Sequence, residues 1–400
     1  MNLQSWYRKQ GLVGIVRLIL ITFSLIVLTS WANKPFMLAV LGQPKNSGNE
    51  RSPMLVQKQG GDSGRTFADW CRQKADLSPE AKHTVEVLLQ KAETNDCDVA
   101  DRNLSRLTKL SLVNNQISDI KPLASLTQLT TLFLDSNKLR DIKPLASLTN
   151  LTELGLFNNQ ISDIKPLASL TNLTWLVFDN TQISDIKPLA SLTNLTELGL
   201  FNNQISDIKP LESLTNLNQL HLNGSQISNI KPLEFLTKLE HLNLSGNQIR
   251  DIKPLEPLTN LTVLYLNNNQ IRDIKPLEPL TNLTELVLSN NQISDIKPLA
   301  SLTNLTLLSL GNNQISDIKP LASLTNLNLL FLYNNQIRDI KPLESLTKLI
   351  SLFLYNNQIS DIKPLKSLTK LTWLFLSGNP IAPKTCPLKP ESICKWEPRN

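Results

Sequence analysis

The sequence predicts an α/β solenoid, a stack of short coils whose strands line up in one parallel sheet. Three observations predict it. A leucine recurs at 107, 129, 151, 173, 195, 217, 239, 261, 283, 305, 327, 349 and 371, thirteen units at a fixed spacing of 22 residues. Self-similarity at such a period marks a repeat architecture. Within a unit the apolar spacing changes from two to three, so each unit holds a strand and then a tighter turn. A Lys-Pro pair such as Lys165-Pro166 recurs in the second half, where a fixed φ and a missing N–H suit a turn and not an element interior.

The unit that opens at Leu151 shows the pattern. Leu151, Leu154, Leu156 and Asn159 follow L-x-x-L-x-L-x-x-N. Leu154 and Leu156 are two apart and share one strand face. Ile161, Ile164, Leu167 and Leu170 are three apart, the step of a 3₁₀ or irregular turn; an α-helical stripe would alternate three and four. Pro166 is expected to hold Lys165 extended and to start a short turn through Leu167 to Leu170. Each coil sends about seven aliphatic side chains inward. Ordering a lone coil costs more than its half-wet apolar surface returns, so the coils must stack. All are traversed in one direction, so the strands run parallel. At about 4.8 Å per strand the stack is roughly 60 Å long.

Asn159 ends the strand half, and its amide is expected to turn inward and bond backbone groups at the bend. The asparagine recurs at 115, 137, 203, 247, 269, 291, 313, 335, 357 and 379, and is interrupted by Thr181 and Ser225. Looser turns are expected there, with the hydroxyl supplying part of the bonding.

The L-x-x-L-x-L-x-x-N motif at this period resembles the leucine-rich repeat. The run Asn-Gln-Ile-Ser-Asp-Ile-Lys-Pro-Leu at 159–167 resembles the internalin type of bacterial surfaces, and exported cyanobacterial repeat proteins still more. The resemblance spans Leu107 to Ile381. It implies an arc with the parallel β-sheet on the concave face and 3₁₀ or irregular turns on the convex face. Protein recognition is the commonest use it implies, with no particular partner.

Before the repeats, residues 1–32 read as a signal peptide or membrane anchor. Arg8, Lys9 and Arg17 precede an apolar run from Leu18 to Leu28, and Ser30-Trp31-Ala32 is a small-x-small cleavage pattern. That run is shorter than the roughly 20 residues a span needs, unless residues 11–16 join it and bury Arg17. Cleavage is therefore preferred to an uncleaved anchor, the one route to a membrane. Residues 33–64 carry Gly, Ser, Asn, Gln and Pro without a period and read as a flexible spacer. Residues 65–106 read as an N-terminal cap. Ser78-Pro79-Glu80 starts a helix there, and Val85, Leu88, Leu89 and Ala92 share its inner face. The helix is expected to run to about Ala92 and to cover the first coil. The repeats occupy 107–379 and a C-terminal cap 380–400.

The four cysteines fall in two local pairs, Cys71 with Cys97 and Cys386 with Cys394, one at each end of the repeats. A bridge needs Cα atoms within about 7 Å, so a stack of the predicted length forbids end-to-end bonds. Two local disulfides remain, with free structural thiols as the alternative. Disulfides belong to oxidising compartments, in accord with export to the periplasm, the cell envelope or the medium.

Positions three, five, seven and eight of each unit point away from the core on the strand side, so unusual residues there are informative. Phe331, Phe353 and Phe375 hold position five, Tyr333 and Tyr355 position seven, and Trp373 position three. Six aromatics on three adjacent strands are expected to form one exposed binding patch; packing on one another or under the C-terminal cap is the alternative. A second group is Phe157, Trp175 and Phe201, interleaved with Asp135, Glu153, Asp179 and Glu197. His221 and His241 lie on adjacent strands without a close carboxylate and read as a solvated pair, not a metal site. His83 on the cap helix has no evident partner.

The net charge of +6 resides partly ahead of the repeats, and the recurrent Asp163 and Lys165 nearly cancel. A nucleic-acid surface is not expected. Neither is an enzyme or a cofactor: no Gly-rich phosphate loop, array cysteine or Ser-His-Asp set is present. Units 151–172 and 195–216 differ only at Ala168 and Glu212, a sign of growth by duplication. Two functions compete. One is an exported scaffold that recognises a protein partner through its concave face. The other is an adhesin for a cell-surface glycan or envelope polysaccharide, with aromatics stacking on sugars.

Overall fold

The computed structural model describes residues 64–179 and 183–397. Residues 61–396 form one compact unit; a second, residues 1–60 with 397–400, lies outside the described residues except for Glu397. The signal or anchor reading of 1–32, the spacer up to residue 63 and the expectation at Thr181 therefore fall outside them too.

The unit opens with three helices: α1 (Phe67–Arg72), α2 (Pro79–Lys91) and α3 (Cys97–Leu104). Sequence reasoning had only α2. Each start is capped by a short polar side chain that accepts an otherwise orphaned N–H. Thr66 and Asp69 form a reciprocal box at α1. Ser78 accepts from Ala81 at α2, and Asp96 accepts from Asp98 and Val99 at α3. The α2 face with Val85, Leu88, Leu89 and Ala92 is buried. Polar contacts seat it on the first coil: Thr84 Oγ1 donates to the Asp119 carbonyl at 2.6 Å. The His83 ring lies 2.6 Å from the Asn115 carbonyl, so this histidine does have a partner. Cys71–Cys97 ties α1 to α3.

Among the described residues fourteen parallel strands follow, neighbours in space in sequence order. The first seven are β1 (Lys109–Ser111), β2 (Thr131–Phe133), β3 (Glu153–Gly155), β4 (Trp175–Asp179), β5 (Glu197–Phe201), β6 (Gln219–His221) and β7 (His241–Asn243). The others are β8 (Val263–Tyr265), β9 (Glu285–Val287), β10 (Leu307–Ser309), β11 (Leu329–Phe331), β12 (Ser351–Phe353), β13 (Trp373–Phe375) and β14 (Cys394–Lys395). Register partners run Thr131 to Glu153 to Trp175 to Glu197, always one unit apart. The last strand was not legible as one. It comes from the C-terminal cap, pairs Leu374 with Cys394 and is held by Cys386–Cys394.

Every leucine and isoleucine of the Leu151 unit is buried, from Leu151, Leu154 and Leu156 to Ile161, Ile164, Leu167 and Leu170. The second half is a 3₁₀ turn, Lys165–Ser169. It begins one residue earlier than expected. The Asp163 carboxylate accepts the Lys165 N–H at 3.0 Å and draws that lysine into the turn. The same bond recurs from Asp119 to Asp361, with Asn229 standing in at one coil. The recurrent aspartate therefore acts on the backbone more than on its lysine, whose ammonium stays 3.8 Å off at Asp119 and 4.0 Å off at Asp295.

The inner asparagines do more than close a bend. Asn291 Nδ2 donates to the carbonyls of Leu266 and Leu288, both at 3.0 Å, and its Oδ1 accepts the Ile271 N–H at 3.0 Å. One side chain thus serves two coils. At Ser225 the hydroxyl is buried and makes no hydrogen bond, so the expectation that it would replace part of the amide fails: a hydroxymethyl group is too short to reach the next coil.

Replacing Asn291 by alanine strands a buried N–H and two carbonyls and should lower unfolding free energy by about 2–4 kcal/mol. Ser225→Asn should act in the opposite direction by about 1 kcal/mol. Urea unfolding followed by circular dichroism reads both; equal midpoints for native and Asn291→Ala would contradict the bridging role.

Candidate binding face

The strand side of the sheet presents columns. In-register parallel strands put equivalent positions about 4.8 Å apart, so like residues on successive units sit ring on ring. Phe331, Phe353 and Phe375 form one such column, with centroids 4.5 and 4.6 Å apart and planes within 14°. Tyr333 and Tyr355 form a second at 4.8 Å and 5°. Trp373 lies parallel to Phe375 at 6.1 Å, and the Lys395 ammonium is 5.6 Å from its ring centroid.

The structure brings these six together but does not expose them as expected. Phe331, Phe353, Phe375 and Tyr333 are buried, Tyr355 is half-buried and only Trp373 is open, at 41%. The cause is the stacking itself: each ring covers the faces of its neighbours. Tyr333 also lies flat across Gly311, where a β-carbon would stand 2.3 Å from the ring. Burial raises the pKa of its hydroxyl, against a lowering effect of the Ser289 hydroxyl. Beside Trp373, Ile350 is 43% exposed. From Leu305 to Gly378 the strand-side positions carry no charged residue.

The earlier strands are built differently. Gly155 opens a gap in β3 that its neighbours fill: a β-carbon there would meet Asp135 Oδ2 at 2.7 Å and Phe133 at 2.8 Å. Trp175 meets Phe133 edge-on at 5.8 Å. Phe157 and Trp175 are half-buried, whereas Phe201 is buried against His221 at 5.5 Å. Asp135 accepts the Phe157 N–H at 2.8 Å. Burial nevertheless pushes its carboxyl up to about 6.

His221 is not the solvated residue expected. It is buried, and burial followed by the charge of His241 pulls it down to about 3, so the ring is neutral at ordinary pH. Among the described residues no group of His, Cys, Asp and Glu has the arrangement of a metal site. Sequence reasoning missed Phe133, Gly155 and Gly311. It also missed the Tyr265 hydroxyl, which donates to Glu285 at 2.6 Å. A glycine in a strand-side column beside an aromatic was the readable signal: it marks where a neighbouring ring lies down on the backbone.

The folded chain holds the Asp135 proton more tightly than the unfolded chain does. Between about pH 4 and 6 the native state therefore binds more protons, and this group's contribution to stability falls as pH rises. His221 acts with the opposite sign over an overlapping window, so the Asp135 part is read as a difference. Asp135→Asn should gain about 2 kcal/mol on the native chain between pH 4 and 7. Parallel denaturation curves at both pH values would contradict it.

Comparison with known proteins accords with this architecture. A profile for leucine-rich repeats in two copies matches residues 105–147, 149–191, 193–237, 237–279, 281–323, 303–346, 325–367 and 347–389. Among solved structures, the internalin InlF of Listeria monocytogenes is 39% identical with a TM-score of 0.76, covering 81% of this chain and 96% of that one. A leucine-rich repeat protein of Leptospira interrogans is 27% identical with a TM-score of 0.63, over 74% and 91%. A plant peptide hormone receptor, solved in complex with its peptide RGF2, shares the fold at 23% identity and a TM-score of 0.60, over 69% and 52%. No curated sequence matches the chain. Repeat, register and likeness together make this chain a member of the leucine-rich repeat family, of the internalin-like bacterial type.

Proposed function

We propose that the chain is an exported leucine-rich repeat scaffold that recognises a protein partner through the concave face of its sheet. The observation that carries this reading is the charge-free ground around β10–β13. Stacked rings form a rigid floor there, and Trp373 and Tyr355 are its accessible apolar groups. Aromatic anchors with few rotamers on a stiff support suit protein recognition, because little entropy is lost on contact. Two terminal disulfides agree with export. The plant receptor bound to its peptide is one instance of the same fold serving recognition.

The glycan reading draws less support. A sugar stacks on an open ring face, and the faces of Phe331, Phe353 and Tyr333 are covered by their neighbours.

Affinity capture from the native cell envelope, followed by mass spectrometry, tests the proposal. The Tyr355→Ala and Trp373→Ala double variant should capture about tenfold less partner, or lower still, with an unchanged circular dichroism spectrum. Undiminished capture would remove the assignment to this face. Hits on a glycan array with no captured protein would favour the sugar.

A further inference from the structure

The strand side is not uniform along the stack. Strand-side positions of β2–β5 hold Asp135, Glu153, Asp179 and Glu197, and no lysine or arginine, in a chain whose net charge is +6. Trp175 sits in the middle of that ground. Its register partners are Glu153 on one side and Glu197 on the other, so the indole stands between two acidic residues on strands about 4.8 Å to either side. All three side chains are half-buried. Trp175 is braced edge-on by Phe133, which itself lies over Gly155. Asp135 stands over the same glycine, fixed by the Phe157 N–H at 2.8 Å.

An indole between two carboxylates is chemically selective. The ring face attracts a cation through its quadrupole, and half-burial strengthens that attraction by excluding water. The flanking acids repel an anionic occupant and give a guanidinium two acceptors. An apolar side chain would gain the indole contact but would desolvate the acids without return. About 40 Å further along the stack, the strand-side residues of β12–β13 are uncharged, and the Lys395 ammonium of β14 lies 5.6 Å from the Trp373 ring centroid. The two ends of the face therefore ask for different things.

We infer that the protein partner presents a basic segment, with a lysine or arginine side chain seated on Trp175 between Glu153 and Glu197, and runs along the sheet towards the apolar ground at β12–β13. This rests on the concave-face reading above and adds to it the chemistry and direction of the occupant. The charge difference along the face fixes the direction, because a reversed segment would place its cation over uncharged rings and its apolar end over carboxylates.

The probe is a hexa-arginine peptide, titrated calorimetrically into the full chain at about 50 mM salt, with hexa-glutamate as control. Saturable one-site binding of hexa-arginine and none of hexa-glutamate is expected, weakening as salt is raised. The Glu153→Gln and Glu197→Gln double variant preserves shape and should weaken binding about tenfold. Trp175→Phe keeps a ring but a poorer cation acceptor and should weaken it severalfold. Glu344→Gln, an exposed carboxylate in the 3₁₀ turn Lys341–Ser345, should leave it unchanged. Absence of saturable binding, or equal affinity in the glutamine double variant, overturns the inference. If hexa-arginine fails while envelope capture succeeds and is lost with Tyr355→Ala and Trp373→Ala, the cationic occupant falls and concave-face recognition stands. If hexa-arginine binds as expected and capture is indifferent to those two residues, the basic segment stands and the apolar ground loses its role.

Discussion

The constraint on which the structure depends is satisfaction of backbone groups inside each coil. A coil must bend sharply where strand gives way to 3₁₀ turn, and the bend leaves N–H and C=O groups facing a dry interior. No water reaches them, so each would cost free energy if left alone. The inner asparagine answers this with one amide that donates twice and accepts once across two coils, as at Asn313 with Leu288, Leu310 and Ile293. Because the acceptor and donors belong to adjacent units, the amide also fixes how far one unit sits from the next. Local turn chemistry and long-range register are thus one interaction.

Fixed register then decides what the open face can be. Side chains on equivalent positions meet across the strand spacing whether or not they attract. Where they are alike and flat they stack, as in the phenylalanine and tyrosine columns. Where one is glycine, the neighbour collapses into the gap, as Tyr333 does at Gly311 and Asp135 at Gly155. The face is therefore not a set of independent projections. Ionisation follows the same logic: Asp135 is driven up by burial, against the lowering pull of the Phe157 N–H, and His221 is kept neutral by its burial beside Phe201.

The fold was legible because its signal is repeated. Leu151, Leu154 and Leu156 alone would be ambiguous between strand and helix, but the same spacing thirteen times leaves one architecture that buries all of it. The ends were less legible. Nothing repeats in α1, α3 or β14, and their short lengths carry little periodicity. The candidate site was legible in membership but not in exposure. Position numbers placed Phe331, Phe353 and Phe375 on one face correctly. They could not show that a column of rings 4.5 Å apart shields itself. Phe133 was passed over because it stands alone in sequence, and its contact with Trp175 is made possible by the missing side chain at Gly155 between them.

The two-residue strand β14 has a consequence for association between molecules. A parallel sheet that simply stopped at β13 would offer a bare row of amides and carbonyls, a template on which the sheet of a second molecule could continue and a third follow. Lys395 instead receives the Leu376 N–H on its carbonyl at 2.9 Å, and Cys386–Cys394 pins this closing segment in place. The growing tip is thereby occupied by the chain itself, with a cationic side chain at its edge. Such a stopper keeps a protein built on unlimited stacking from polymerising into fibres.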